Sequence, residues 1–245
     1  GGMSETAFAR EYLCDFAASG DDQLVSLTDA ESAARRTFVE RDVAGAPRIM
    51  GVDPARFGDD RSAIAFRQGL VALDPVILRG LDNMQLAGRV ASEIDRWQPD
   101  AVFVDSGAGA GVIDRLRQLG HSPIEVPFGG RANSPALYVN RRTEMWCSMA
   151  EWLRTGSIPN LPELRSELAT PIYWYDAQGR KVLESKDDIK KRLQGGASPD
   201  LADALALTFS APVSKRQALP EDWTQRRHRS PSDRNGPFNP FARKR

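Results

Sequence analysis

Three short stretches constrain this chain more than anything else in it. Arg48-Ile-Met-Gly-Val-Asp53 and Ala101-Val-Phe-Val-Asp105 each read as a mostly apolar strand that ends in an aspartate and runs into a small-residue or glycine-rich turn. In open α/β sheets, ligands bind at the carboxyl ends of the strands, so two aspartates in matching positions mark one sheet edge as a candidate site. A single such Asp reads equally well as a turn former; it is the repetition that favours function. The third stretch is Ser198-Pro-Asp200-Leu-Ala-Asp203-Ala-Leu-Ala-Leu-Thr-Phe209. It reads as a helix running to about Ala211, capped by Ser198 with Pro199 at its first position. The helix dipole favours an acid at Asp200. Asp203 has no such reason to be there, because it lies among Ala and Leu with Leu201, Leu205 and Phe209 at helical spacing. A carboxylate facing a packed interior needs a partner or a metal. Positions 200 and 203 also share a helix face, so both can point at one ion.

The elements between these stretches follow from periodicity. Arg61–Phe66 and Leu70–Leu78, split at Gln68-Gly69, continue the first strand as a meander. Leu86, Val90, Ile94 and Trp97 are spaced as one helix face over Met84–Trp97. Ser106-Gly-Ala-Gly-Ala-Gly111 reads as a tight connection before a helix carrying Val112, Ile113, Leu116 and Leu119. Ile124–Val126 reads as a strand, Pro135–Arg154 as a long helix and Pro162 as the start of a short one. Ile172–Leu183 reads as a hairpin turning at Asp176–Gly179, and Asp187–Leu193 as a short basic helix. Upstream, Phe8–Phe16 is an apolar stretch, and Thr28 with Glu31 makes a capping box for a polar helix. A meander followed by alternating helix and strand is an α/β fold with a mixed sheet flanked by helices.

Composition narrows the chemistry. With two cysteines (Cys14, Cys147) and two histidines (His121, His228) in 245 residues, there is no disulfide framework and no His/Cys metal site, so any metal must be held by carboxylates. The cysteine usage fits a cytoplasmic protein. No apolar run approaches the ~18 residues of a membrane span, so no membrane partner is expected. No Gly-x-x-x-x-Gly-Lys-[Ser/Thr] loop occurs, which excludes a P-loop ATPase in this stretch of chain. The neutral total, 33 basic against 33 acidic residues, hides an asymmetry: Pro212–Arg245 carries nine basic and three acidic residues and is poor in aliphatics. That composition predicts a disordered basic tail.

Several carboxylates brought together repel one another and any phosphate. Hard oxygen donors suit Mg²⁺ or Mn²⁺, and such a cluster can hold two ions ~4 Å apart for phosphodiester hydrolysis.

Gly51-Val-Asp53-Pro-Ala, Phe103-Val-Asp105 and Ser198-Pro-Asp200-Leu-Ala-Asp203-Ala-Leu together resemble the C-terminal nuclease domain of the large terminase subunit of tailed phages. Val126-Pro-Phe-Gly129, Asn140-Arg-Arg142, Glu151-Trp-Leu and Glu184-Ser-Lys186-Asp-Asp are also similar to that family. The resemblance covers about residues 47–211 and implies an RNase H-like fold. It also implies a two-metal endonuclease that cuts concatemeric double-stranded viral DNA during packaging, with little sequence specificity, in the host-cell cytoplasm. Carried over, Asp53, Asp105, Asp200 and Asp203 are the metal ligands. The implied partners are DNA, an ATPase domain of the same full-length protein, the portal and the small terminase subunit. On this reading residues 1–46 are a tag remnant and linker, 47–211 the nuclease domain and 212–245 the basic tail.

Basic residues should flank an acidic site that meets DNA. The candidates are Lys186, Arg61, Arg131, Lys190 and Lys191, with Arg56 and Arg192 beside them. Lys186 stands out because it precedes the last acidic motif and could touch the scissile phosphate or steady a carboxylate. The hairpin aromatics Tyr173, Trp174 and Tyr175 could face DNA or pack, while Trp146 and Trp152 read as core. The alternatives are a resolvase- or transposase-like nuclease and a non-catalytic RNase H-like interaction module whose acids are structural.

Overall fold

Strand β1 (Arg48–Asp53) is buried along all but its first residue and forms the middle of a five-stranded sheet. In the computed structural model, which describes residues 22–55, 61–194 and 198–216, β1 pairs antiparallel with β2 (Arg61–Gln68) and parallel with β4 (Ala101–Asp105). β3 (Val71–Arg79) forms one edge and β5 (Ile124–Val126) the other, giving the order β3-β2-β1-β4-β5. The chain divides into two units, Gly1–Lys215 and Arg216–Arg245, and every element named here belongs to the first. The apolar stretch at 8–16, Arg56 with most of its turn, and most of the basic tail lie outside the described residues.

The sheet is covered on both faces. Met50, Val52, Ile64, Phe66, Val102 and Val104 point to one face, under α3 (Asn83–Trp97) and α4 (Ser106–Gln118). Ile49, Ala63, Ala65, Ala101 and Phe103 point to the other, under α5 (Arg141–Leu153), α6 (Pro162–Leu168) and α8 (Asp200–Leu207). Strand alternation then decides where the acids go. Ile49, Gly51 and Asp53 share the α8 face, as do Ala101, Phe103 and Asp105. Because Val52 pairs with Val104, the register sets Asp53 beside Asp105 at adjacent carboxyl ends.

Helix α8 reaches β1 because residue 51 is glycine. A Cβ there would lie 2.1 Å from the Ala204 carbonyl oxygen. The glycine-rich run after β4 departs from the expected loop: the helix starts at Ser106, and Asp105 is its cap. The run is needed for packing, since a Cβ on Gly109 would meet Pro54 Cγ at 2.8 Å.

The remaining elements are α1 (Leu27–Arg35), α2 (Glu40–Val43), the hairpin β6 (Tyr173–Tyr175) and β7 (Lys181–Leu183), and α7 (Lys186–Arg192). Helix α1 is capped by Ser26, whose hydroxyl accepts from Asp29 N at 3.0 Å, rather than by Thr28, because the helix begins earlier than expected. Its Ala30 and Ala33 are fully buried in the core. The long helix expected from Pro135 begins only at Arg141, where Asn140 caps it through Thr143 N at 2.9 Å. Helix α8 ends at Leu207 rather than near Ala211, and its cap position is Pro199, not Ser198. Among the described residues no helix is long and apolar enough to cross a membrane.

Candidate metal centre

Asp53, Asp105 and Asp200 line one cleft of about 460 Å³, together with Lys186, Phe128 and Asn140. Asp203 lies beneath them, fully buried. The four acids come from β1, β4 and α8, and the ammonium of Lys186, at the start of α7, joins three of them, Asp53, Asp200 and Asp203. Its Nζ donates to Asp53 Oδ2 at 2.7 Å and lies 3.2 Å from Asp203 Oδ2 and 3.5 Å from Asp200 Oδ1. Nζ also sits 5.6 Å from the centre of the Phe128 ring, within cation–π range. Ser185 caps α7, its hydroxyl accepting from Asp188 N at 3.1 Å, which fixes where Lys186 leaves the backbone.

The acids do not share one electrostatic environment. Burial pushes Asp53 up from 3.8 to about 7, and the neighbouring Asp203 and Asp200 add to the rise while Lys186 opposes it. Burial also raises Asp105, against the pull of the Gly107 N–H, which donates to its Oδ1 at 3.2 Å. Burial would raise Asp203 too, but the Arg142 guanidinium and then Lys186 overcome it and hold Asp203 below its usual value. Lys186 loses to burial and gains more from Asp53, Asp203 and Asp200, so it is held firmly protonated.

Asp203 is bound on two sides. Its Oδ1 accepts from Arg142 Nε at 2.8 Å and from Trp146 Nε1 at 2.6 Å, while its Oδ2 faces Lys186 and accepts a 3.3 Å bond from Arg142 Nη2. Arg142 also donates to the Glu184 carbonyl at 2.7 Å. Trp146 is core, as its helical position implied, and its indole N–H is spent on the aspartate. The Arg142 and Trp146 partnership was missed in the sequence, although Asn140-Arg-Arg142 was among the stretches carrying the resemblance.

The expected DNA contacts are placed unevenly. Lys186 is at the centre of the site, Lys190 lines the cleft, and Arg131 is exposed just beyond the cleft-lining Gly129 and Gly130. Lys191 is exposed and pairs with Asp188 at 3.2 Å. Arg61 is turned inward: it is only 6% exposed, ion-paired with Glu163 and Glu167, and donates to Asp200 Oδ2 at 3.3 Å. It lines the cleft, and its guanidinium there is engaged by these three acids. Trp174 and Tyr175 of the hairpin are substantially exposed, while Tyr173 is half-buried.

The donor set suits a hard divalent cation: it is all oxygen, it carries up to four negative charges, and it already holds one positive charge at the meeting point. Among the described residues no three acids, cysteines or histidines converge closely enough to hold an ion as they stand.

No family model matches the chain, and no curated protein matches it. Solved structures do. The nuclease domain of the large terminase subunit gp2 of bacterial virus Sf6 superposes with a TM-score of 0.67 at 18% identity, covering 78% of this chain and 99% of that one. A lysine-to-alanine variant of the same domain, solved with manganese, gives a TM-score of 0.64 at 19% identity over 77% and 99%. The large terminase nuclease of thermophilic phage G20c with bound magnesium gives 0.55 at 14% identity over 78% and 98%. At these identities the likeness establishes the fold, which is the RNase H-like fold expected from the sequence.

Proposed function

We propose that this chain is the nuclease domain of a phage large terminase subunit, a divalent-metal-dependent endodeoxyribonuclease acting on double-stranded viral DNA during packaging. The observation that carries the reading is the gathering of Asp53 and Asp105, at the carboxyl ends of two parallel strands, with Asp200 and Asp203 of α8, around the half-buried Lys186 that pairs with three of them. A fold alone does not imply an activity, but this site has the composition that phosphodiester hydrolysis requires.

In this reading Asp53, Asp105, Asp200 and Asp203 hold two Mg²⁺ or Mn²⁺ ions, which supply Lewis acidity toward phosphoryl oxygen and water. Asp203 offers Oδ2 to the site while Arg142 and Trp146 hold its other oxygen in place. Lys186 offsets part of the acids' negative charge and, lining the cleft, would offer its own charge to a DNA phosphate brought to the ions. Lys190 and Arg131 flank the cleft and bind the backbone. Contacts to phosphates rather than bases give strong salt dependence and little sequence preference. The metals named in the Sf6 and G20c structures, manganese and magnesium, support the choice of ion. The ATPase domain of the same protein, the portal and the small subunit are the partners that the resemblance implies, in the host-cell cytoplasm.

Plasmid cleavage in Mn²⁺, Mg²⁺ and EDTA tests the proposal, with Asp53→Asn and Asp105→Asn alongside the wild type. Cleavage that needs metal and disappears in both variants is the expected result. Equal cutting by wild type and variants would refute the site. Wild type that neither cuts nor binds Mn²⁺ by calorimetry would favour the non-catalytic module.

A further inference from the structure

We infer that α6, which contributes no residue to the cleft, positions the last acidic segment of the site, with Glu167 and Arg61 as positioning residues for Asp200. The inference rests on the metal-centre reading above and adds to it two residues that touch no ion in it.

A helix leaves its first N–H groups without intrahelical acceptors. In α8 the Asp200 and Asp203 N–H groups reach the Ser198 and Pro199 carbonyls, but those of Leu201 and Ala202 find no acceptor in their own segment, because the cap residue is Pro199 and no side chain there caps the helix. Water cannot substitute, since Leu201 and Ala202 are 1% and 0% exposed. The acceptor arrives from another helix. Glu167 Oε2 takes Leu201 N at 2.8 Å and Ala202 N at 3.1 Å. Its other oxygen is ion-paired with Arg61, whose Nη1 pairs with Glu163. The same guanidinium donates through Nε to Asp200 Oδ2 at 3.3 Å and through Nη2 to the Ser198 carbonyl at 3.4 Å.

One carboxylate thus fixes where α8 begins, and one guanidinium fixes one oxygen of Asp200, turning Oδ1 toward Lys186. Arg61 opens β2 two residues before Ala63, the partner of Asp53, so the network also joins the two ends of the acid cluster. Outer groups that hydrogen-bond a ligating carboxylate set its orientation, and losing one typically costs about 10–100-fold in metal affinity.

The test uses the whole chain with Glu167→Ala, Glu167→Gln and, as a control on the same helix, the fully buried Leu168→Ala. Three quantities are read: amide hydrogen exchange at Leu201 and Ala202 in EDTA, the Mn²⁺ dissociation constant by calorimetry, and Tm. Glu167→Ala is expected to speed exchange at those two amides and to weaken Mn²⁺ binding about 10–100-fold. Glu167→Gln keeps an acceptor for the amides but loses the ion pair, so it gives near-normal protection with an intermediate loss of affinity. This second variant carries the test should the alanine variant not fold. Leu168→Ala is expected to lower Tm while leaving the Mn²⁺ constant near that of the wild type. Unchanged affinity in both Glu167 variants, or an equal loss in Leu168→Ala at matched Tm, would overturn the inference while leaving the metal centre intact. Wild type that binds no Mn²⁺ would overturn both.

Discussion

Asp53→Asn should stabilise the metal-free protein, and by an amount that grows with pH. Asp53 is 2% exposed, and its carboxyl is raised from 3.8 to about 7. A group whose folded pKa lies above its unfolded one binds more protons when folded. Its stabilising share is therefore complete below about 4 and is lost as pH rises through about 7. The displacement is about three pKa units at 1.36 kcal/mol each, so the loss by pH 8.5 is on the order of 4 kcal/mol. Asparagine resembles the protonated acid and cannot ionise, so the variant escapes that loss. Glu167 titrates in both proteins and, not being among the groups that shift Asp53, largely cancels in the difference.

Urea denaturation in EDTA at intervals from pH 4 to 8.5 measures this difference directly. The expected difference climbs from the acid end of that range, is steepest between about pH 5 and 6.5, and levels off above pH 8. Adding Mn²⁺ should then narrow the gap, because only the wild type gains from binding, by about 2.7 kcal/mol at a hundredfold excess over its dissociation constant. Parallel stability curves for wild type and variant across the whole range would refute the reasoning, since they would mean that Asp53 ionises as freely in the fold as in the unfolded chain.

Other consequences are more briefly drawn. Lys186→Ala removes the cation held by three acids, so in EDTA its Tm should fall, while its Mn²⁺ affinity by calorimetry should rise at least about tenfold, equivalent to 1.4 kcal/mol; unchanged metal affinity would show that the ammonium does not occupy the ion's place. Gly51→Ala drives a methyl group into the Ala204 carbonyl, so overpacking of about 1–3 kcal/mol or more should appear in denaturation, together with weaker Mn²⁺ binding as α8 shifts. Trp146→Phe keeps most of the core volume but removes a 2.6 Å bond to a buried carboxylate, and should cost roughly 1.5–3 kcal/mol in thermal denaturation without metal.

Much of the site was legible in the sequence because strands and helices report their own periodicity. Asp53 and Asp105 could be placed at one edge from the two strand patterns, and the shared face of positions 200 and 203 follows from helical geometry. What the sequence could not show was pairing between distant segments. Glu167, which caps α8, lies 34 residues from Leu201 and carries no motif. Ser198, the expected cap, is buried with no hydrogen-bond partner for its hydroxyl among the described residues, because Glu167 has taken its role. Arg61 was expected from its place beside a turn to flank the site and meet DNA, and the three acids that hold it, from α6 and α8, could not be foreseen from that position. Glycines 107, 109 and 111 suggested a loop by intrinsic propensity. Tertiary packing overrides that preference, since Pro54 and Asn83 occupy the space that side chains at 109 and 111 would need.

Asp203 shows why the choice between partner and metal was posed too narrowly. A buried carboxylate has two oxygens, and here they face different surroundings. One takes Arg142 and Trp146 from α5, and the other takes Lys186 from α7 along with a longer bond from Arg142. The first side keeps Asp203 ionised in an interior where Asp53, without an arginine, is pushed to about 7. An acid held ionised chiefly by Arg142, with Lys186 second, has an oxygen turned to the cleft that the proposed cation could take. A neighbour raised to near neutrality instead lowers the repulsion while the cleft holds only Lys186. The two roles need different surroundings, so an asymmetric cluster suits the proposed metal centre, which would have to be stable both with and without ions.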